Sequence, residues 1–255
     1  MIRGVLLDLA GVVYEGDHAL PGAVDAVARL RAGGLPLRFV TNTTRKTKQA
    51  LLDRLTRLGL DIKKDELFTP ASAARDWLAA HDAAPVLVVH PNLESEFANV
   101  PARLARAFVV GDAGESFDFE HLNTAFRALD DGAELIALAK NRTFKDDDGK
   151  LSLDAGAFVA ALEYASGHTA RVLGKPSPDF FAGALASMDC RPEDAVMVGD
   201  DAEADVAGAL QAGLAHALLV RTGKYHDGDE GRFEPHPTAT VADLSAATDW
   251  IREQR

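Results

Sequence analysis

Only one cysteine, Cys190, stands among the 255 residues. No intrachain disulfide can form, so the fold must rest on burial, and a cytosolic setting is the simplest expectation. Long apolar runs are missing as well. No stretch approaches the 18 or more residues of a membrane span, and the apolar run after Arg3 is broken at Asp8, too soon for a signal-peptide core. The expectation is a soluble, cytoplasmic chain with no membrane partner. Basic residues are in deficit: 27 Lys and Arg against 39 Asp and Glu give a net charge of −12. That argues against a nucleic-acid partner, which usually needs a clustered basic surface. It leaves room for a small anionic substrate, which a few local cations and a metal can hold. Neither an internal repeat nor a low-complexity segment occurs. What the chain does have is 47% hydrophobic and 26% charged residues, a globular composition, at a length that suits one large domain or two smaller ones.

Along the chain, short apolar runs alternate with helical patterns. Gly4 to Leu7 ends in Asp8 as a buried parallel strand would. Pro21-Gly22 opens a helix carrying Val24, Val27 and Leu30, and Gly33-Gly34 stops it. Leu35 to Val40 reads as a strand ending at Thr41-Asn42, followed by an amphipathic helix from Lys46 to Leu58. The middle repeats the alternation, with strands predicted at Val86 to Val89, Phe108 to Val110 and Leu135 to Leu138. Helical patterns surround Leu122 to Leu129 and Phe158 to Tyr164, and Asp146 to Gly149 marks an exposed turn. The last third returns to the first pattern. Val172-Leu173 leads into Gly174-Lys175-Pro176, with Ser177 as a helix N-cap and Pro178 in the first turn. Ala195 to Val198 ends at Gly199-Asp200, with a helix through Asp205, Val206 and Leu210 after it. His216 to Val220 is one more strand, and a helix starts near Ala242. Strand–helix alternation implies a parallel sheet with right-handed crossovers.

Ligands of open α/β sheets sit beyond the carboxyl ends of the strands. Four predicted ends carry Asp8, Thr41-Asn42, Lys175 and Asp200. Each alone is weak, since an aspartate after a strand is more often a turn former and a lone lysine is usually solvated. Together, at one edge of one sheet, they supply carboxylates, hydroxyl and amide donors and a cation, an inventory that suits a hard metal ion and a phosphoryl group.

The segments Asp8-Leu9-Ala10-Gly11-Val12-Val13-Tyr14, Thr41-Asn42, Gly174-Lys175-Pro176-Ser177-Pro178, and Gly199-Asp200-Asp201 through Asp205 resemble, in order, the four motifs of the haloacid dehalogenase superfamily. Within it the chain is similar to the branch with a large α/β cap between the second and third motifs, as are Glu115-Ser116-Phe117, Ala161-Leu162-Glu163-Tyr164-Ala165 and Thr222-Gly223-Lys224. The resemblance implies a Rossmann-like, doubly wound parallel-sheet core (residues 1–78 and 173–255) with an inserted α/β cap (residues 79–172). It implies a Mg²⁺-dependent phosphohydrolase in which Asp8 is the nucleophile and forms an aspartyl phosphate. Asp8, the backbone carbonyl of Ala10 and Asp200 would hold Mg²⁺. Thr41, Asn42 and Lys175 would bind the phosphoryl group, Lys175 also balancing charge. Asp205 would support the metal or Lys175, and Asp201 is either a further supporting group or a polar helix-start residue. Small phosphorylated substrates are implied, pyrophosphate and phosphoramidates of lysine and histidine among them, with a homodimer formed through the cap.

Only 32 residues separate Asp8 from Thr41, whereas 132 separate Asn42 from Lys175. The cap therefore belongs in the second gap, which disfavours dehalogenase and phosphonoacetaldehyde hydrolase chemistry, whose caps fall in the first. One position departs from the superfamily: Ala10 stands where its phosphatases usually carry a second aspartate, the general acid and base. The alternative is thus a catalytically impaired pseudo-phosphatase that serves as a binding protein. Retention of Asp8, Lys175 and Asp200 argues against it, because facing carboxylates are costly to keep without a use. Lys140, Asn141 and Arg142 could reach a leaving group or lie in a solvated loop. His90 reads as a structural or surface residue, and Cys190 as packing.

Overall fold

The computed structural model describes residues 1–101, 103–145 and 150–254; the predicted acidic turn at residues 146–149 lies outside them. The chain divides into two compact units: Met1–Thr41, Leu51–Phe68 and Lys175–Arg255 form one, Asn42–Ala50 and Thr69–Gly174 the other.

The first unit is built on a six-stranded parallel sheet. Its order is Ala239–Val241, His216–Val220, Ala195–Gly199, Gly4–Asp8, Leu37–Val40, Leu67–Phe68. Every residue of Gly4–Asp8 is buried, as expected of a central parallel strand covered on both faces. Side chains alternate between the faces. Val5, Leu7, Val196 and Val198 join one apolar cluster with Ala26, Val27 and Leu30 of the helix Ala23–Ala32 and with Leu244, Ala247 and Ile251 of the helix Leu244–Glu253. Leu6 and Met197 are buried between those positions. The helices Pro178–Ala186 and Gly208–Gln211 also pack against strands of this sheet. Burying each such leucine fully is worth about 1.5–3 kcal/mol. From Gly4–Asp8 the chain steps outward through Leu37–Val40 and Leu67–Phe68. Later it returns on the opposite side through Ala195–Gly199, His216–Val220 and Ala239–Val241. Asp8 therefore ends the strand at which the winding direction reverses, the place where such sheets open a crevice.

The second unit has its own four-stranded parallel sheet, ordered Arg171–Val172, Glu134–Ala137, Ala105–Val110, Ala83–Val88, and a separate antiparallel pair of short strands, Thr143–Lys145 and Leu151–Leu153. Alternation decides its layers too. Ala107, Val109 and Ile136 pack with Ala71, Ala74 and Leu78 of the helix Pro70–Ala80. Phe108, Val110 and Leu135 pack with Ala125 and Leu129 of Phe119–Asp130 and with Val159 and Leu162 of Ala155–Ser166. The molecule is thus α/β throughout, a doubly wound parallel core with a second α/β unit inserted in its chain.

Four local expectations change. The strand before Lys175, expected in the sheet of Asp8 and Asp200, is Arg171–Val172 of the second unit's sheet. Val24 is exposed; the buried stripe of its helix is Ala23, Ala26, Val27 and Leu30, because a small residue one place earlier completes the i, i+3, i+4, i+7 face better. Ser177 precedes its helix, but its side chain makes no capping bond. The helix expected through Asp205 and Leu210 is a π-helical turn at Ala202–Ala207 leading into Gly208–Gln211.

Candidate active site

The parallel register brings the chemistry-bearing residues to one edge of the first unit. Asp8 closes its strand opposite Val40, and Leu7 pairs with Val198, two residues before Asp200. Lys175 begins the chain's return into this unit, two residues before the helix cap at Ser177 and three before the helix Pro178–Ala186 itself. Its ammonium donates to Asp8 Oδ1 at 2.5 Å and to Asp205 Oδ1 at 2.5 Å. The wide π-turn carries Asp205 to this position: the amides of Asp205 and Val206 both donate to the Asp201 carbonyl. Such turns recur at functional sites. Asp8, Asp200 and Asp205 each offer a carboxylate oxygen within 4.8 Å of the others, and all three are buried.

One ammonium against three carboxylates leaves two negative charges uncompensated. The consequence shows in the acids. Burial, then repulsion from Asp8 and Asp205, pushes the Asp200 carboxyl up to about 8. Burial also raises Asp205, to about 7, with Lys175 opposing and Asp8 adding to the rise. Burial alone would pull Lys175 down, but the carboxylates of Asp205 and Asp8 outweigh it and hold the ammonium charged well above its ordinary range. A divalent cation would supply the missing charge. A buried set made wholly of carboxylate oxygens, too close to be ionised together without one, fits a hard ion such as Mg²⁺.

The other predicted residues fall as follows. Thr41 is buried one residue beyond its strand, with its amide on the Phe68 carbonyl at 3.2 Å. Asn42 follows as the first residue assigned to the second unit, its amide oxygen set against Gly174. Ala10 is exposed in the turn after Leu9. Asp201 caps the π-turn, accepting from the amides of Glu203 at 3.1 Å and Ala204 at 2.9 Å, and pairs with Lys224 at 3.1 Å. It starts the helical turn and also touches the residue whose amide holds Asp200. In the second unit, Lys140 is bound to Glu163 at 2.7 and 2.8 Å, while the carbonyls of Asn141 and Arg142 accept from Gly156 and Asp154 at the start of a helix. His90 Nδ1 accepts from the Asn92 amide at 3.2 Å and caps Pro91–Glu94. Cys190 is buried beside Gly4.

Sequence reasoning missed what holds Asp200. The Lys224 amide donates to Asp200 Oδ2 at 2.7 Å, and the Thr222 hydroxyl donates to the Gly11 carbonyl. The available signal was position: residues 222–224 follow the strand His216–Val220, so they leave the sheet at the same edge as Asp8 and Asp200.

Known proteins resemble this chain along nearly its whole length. Residues 5–102 match the haloacid dehalogenase-like hydrolase model and residues 172–247 a second model of haloacid dehalogenase-like hydrolases. The chain is 45% identical to haloacid dehalogenase-like hydrolase domain-containing protein 2 of Bos taurus, over 98% of this chain and 96% of that one. It is 42% identical to the human phospholysine phosphohistidine inorganic pyrophosphate phosphatase, over 98% and 94%. Among solved structures it resembles the glycerol phosphate phosphatase of Mycobacterium tuberculosis in complex with magnesium, with a TM-score of 0.83 and 30% identity over 96% of this chain and 76% of that one. With relatives this similar along nearly its whole length, the chain belongs to the haloacid dehalogenase-like hydrolases, in the large-cap branch that contains these phosphatases.

Proposed function

We propose that the protein is a Mg²⁺-dependent phosphohydrolase that works through an aspartyl phosphate on Asp8 and acts on small phosphorylated substrates. The observation that carries this is Lys175, buried and shared between Asp8 and Asp205 at 2.5 Å from each, inside a cluster of three carboxylates. Lys175 fixes one oxygen of Asp8 and leaves the other for attack. An Asp8 oxygen forms a bond to phosphorus as the bond from phosphorus to the leaving oxygen or nitrogen breaks, and the leaving group takes the electron pair. Water then attacks the aspartyl phosphate, which frees Asp8 and releases inorganic phosphate. Lys175 balances negative charge on the transferring group, and Thr41 and Asn42 receive its oxygens. Asp8, Asp200 and the Ala10 carbonyl would hold Mg²⁺, which neutralises charge on the phosphoryl oxygens. Asp205 acts through Lys175, as its bond to that ammonium suggests. The inserted unit is assigned to substrate selection. Pyrophosphate and phosphoramidates head the candidate substrates, because the name of one relative refers to them.

The test pairs a substrate panel (nitrophenyl phosphate, pyrophosphate, phosphoramidates, sugar phosphates) with the variants Asp8→Asn and Asp200→Ala, with and without Mg²⁺. Asp8→Asn should abolish turnover with the fold intact, since the amide is nearly isosteric but a poor nucleophile. Turnover within tenfold of the parent would sink the covalent route. Asp200→Ala should regain part of its activity at high Mg²⁺. A well-folded parent inert across the panel at saturating Mg²⁺ would favour the binding-protein reading.

A further inference from the structure

Residues 222–224 do more than close a loop. The chain leaves the strand His216–Val220, and its first residue outside, Arg221, stays tied to the sheet through the Val241 carbonyl at 3.0 Å. Thr222 then turns its hydroxyl onto the carbonyl of Gly11, in the turn that follows Asp8. Gly223 and Gly11 both adopt left-handed backbone, with φ of +65° and +82°, which side chains beyond glycine enter only at a cost. There is also no space for one. A Cβ on either glycine would collide with Asp200 Oδ2 and press on the α-carbon of the other glycine. The Oδ2 of Asp200 therefore packs against two bare α-carbons that also touch each other, and the Lys224 amide donates to the same Oδ2 at 2.7 Å. Burial is nearly complete: Asp200 is 3% exposed.

We propose that residues 222–224 are a positioning element that locks Asp200 with one oxygen engaged, so that it ligates Mg²⁺ through the other alone and discriminates against Ca²⁺. The proposal rests on the Mg²⁺ reading given under Proposed function. Its physical basis is the difference between the two ions. Mg²⁺ requires near-ideal octahedral geometry at about 2.0–2.1 Å, whereas Ca²⁺ takes more oxygens at about 2.3–2.6 Å and readily uses a carboxylate through both of them. A carboxylate with one oxygen packed against two α-carbons and capped by an amide can neither swing nor chelate. It suits the smaller ion. Groups that orient a metal's ligands are typically worth 10–100-fold in metal affinity.

The decisive experiment is calorimetric titration of metal-stripped protein with MgCl₂ and, separately, CaCl₂. The proteins are the parent, Thr222→Val, Thr222→Ser and Gly223→Ala. Thr222→Val keeps the shape and removes the hydroxyl that ties the turn to Gly11. It should weaken Mg²⁺ binding about tenfold or more and Ca²⁺ binding less, narrowing the preference, while Thr222→Ser restores the parent's values. Gly223→Ala should have the larger effect, but it also strains the backbone, so Thr222→Val carries the decision. A merely structural role would lower the melting temperature of the metal-free protein without changing the Mg²⁺-to-Ca²⁺ ratio. Unchanged Mg²⁺ affinity in Thr222→Val, or equal weakening of both ions, overturns the proposal. A parent that binds no Mg²⁺ overturns the metal reading itself, an outcome the titration separates from the others.

Discussion

Ala10 is the residue at which this chain departs from the superfamily's usual pattern, and its chemistry sets an expectation for substrates. A methyl group has no proton to give a leaving group and cannot activate water. General acid–base assistance is typically worth roughly 10²–10⁴ in rate. Leaving groups that depart as stabilised anions, such as nitrophenolate or phosphate, need little of it, and a phosphoramidate nitrogen can take its proton from solvent. Alkyl and sugar phosphates expel a basic alkoxide and need it most. The expected outcome is a steep fall of kcat/KM with rising leaving-group pKa, and a shallower fall in Ala10→Asp, whose side chain has room because position 10 is exposed. A series of aryl and alkyl phosphates at saturating Mg²⁺, with single-turnover phosphorylation rates alongside, measures both slopes. Equal slopes would mean that some other group or a bound water supplies the proton.

At the scale of elements, the start of Pro70–Ala80 makes the sharpest stability prediction. Thr69 and Ser72 cap it reciprocally: Ser72 N donates to Thr69 Oγ1 at 3.2 Å, and Thr69 N donates to Ser72 Oγ at 3.1 Å. Both residues are buried, so water cannot replace the bonds. Thr69→Ala should cost about 1–2 kcal/mol in urea unfolding, and Thr69→Ser distinctly less; an unchanged midpoint for Thr69→Ala would show that the cap contributes nothing. The sequence does carry a start signal for this helix, since Thr69-Pro70 is an N-cap followed by a first-turn proline. Its alanine-rich turns give little apolar contrast, however, so periodicity does not reveal it. The two-residue strand Leu67–Phe68 and the three-residue Ala239–Val241 are too short for periodicity to register, since sheet pairing rather than local pattern makes them strands. Gly4–Asp8, Ala195–Gly199 and His216–Val220 are readable because a continuous apolar run of that length, ending in a polar residue, fits a buried parallel strand and little else. The same rule places Asp8 and Asp200 at one edge, but not Lys175, which follows Arg171–Val172, a strand of the second unit's sheet. The contact of Gly11 and Gly223 with Asp200 escapes that rule, because residues 11 and 223 meet only through the fold, and a glycine's use there is the absence of a side chain.

For the whole molecule, the buried carboxylates tie stability to pH and to the cation. Asp200 and Asp205 hold their protons to about 8 and about 7 in the folded chain without a cation, whereas an exposed aspartate loses its proton near 3.9. Between about pH 4 and 8 the folded state therefore binds protons that the unfolded state has released. Stability must fall as pH rises through that window. Lys175, also shifted upward, stays charged throughout it and adds no slope there. The chain's net charge of −12 adds self-repulsion, which any salt screens, so ionic strength has to be matched with Na⁺. Mg²⁺ should act differently, because it binds the ionised carboxylates and must displace their protons. Its stabilisation should be small at pH 5 and largest near pH 8. The expected melting curves are a metal-stripped protein whose Tm declines from pH 5 to 8, and a Mg²⁺-loaded protein whose Tm stays nearly level. Asp200→Asn has no such proton to lose and should flatten the metal-free decline. If Mg²⁺ raised Tm equally at both pH values, Asp8 and Asp200 would not be the groups that receive the ion, and the charge deficit around Lys175 would need another partner.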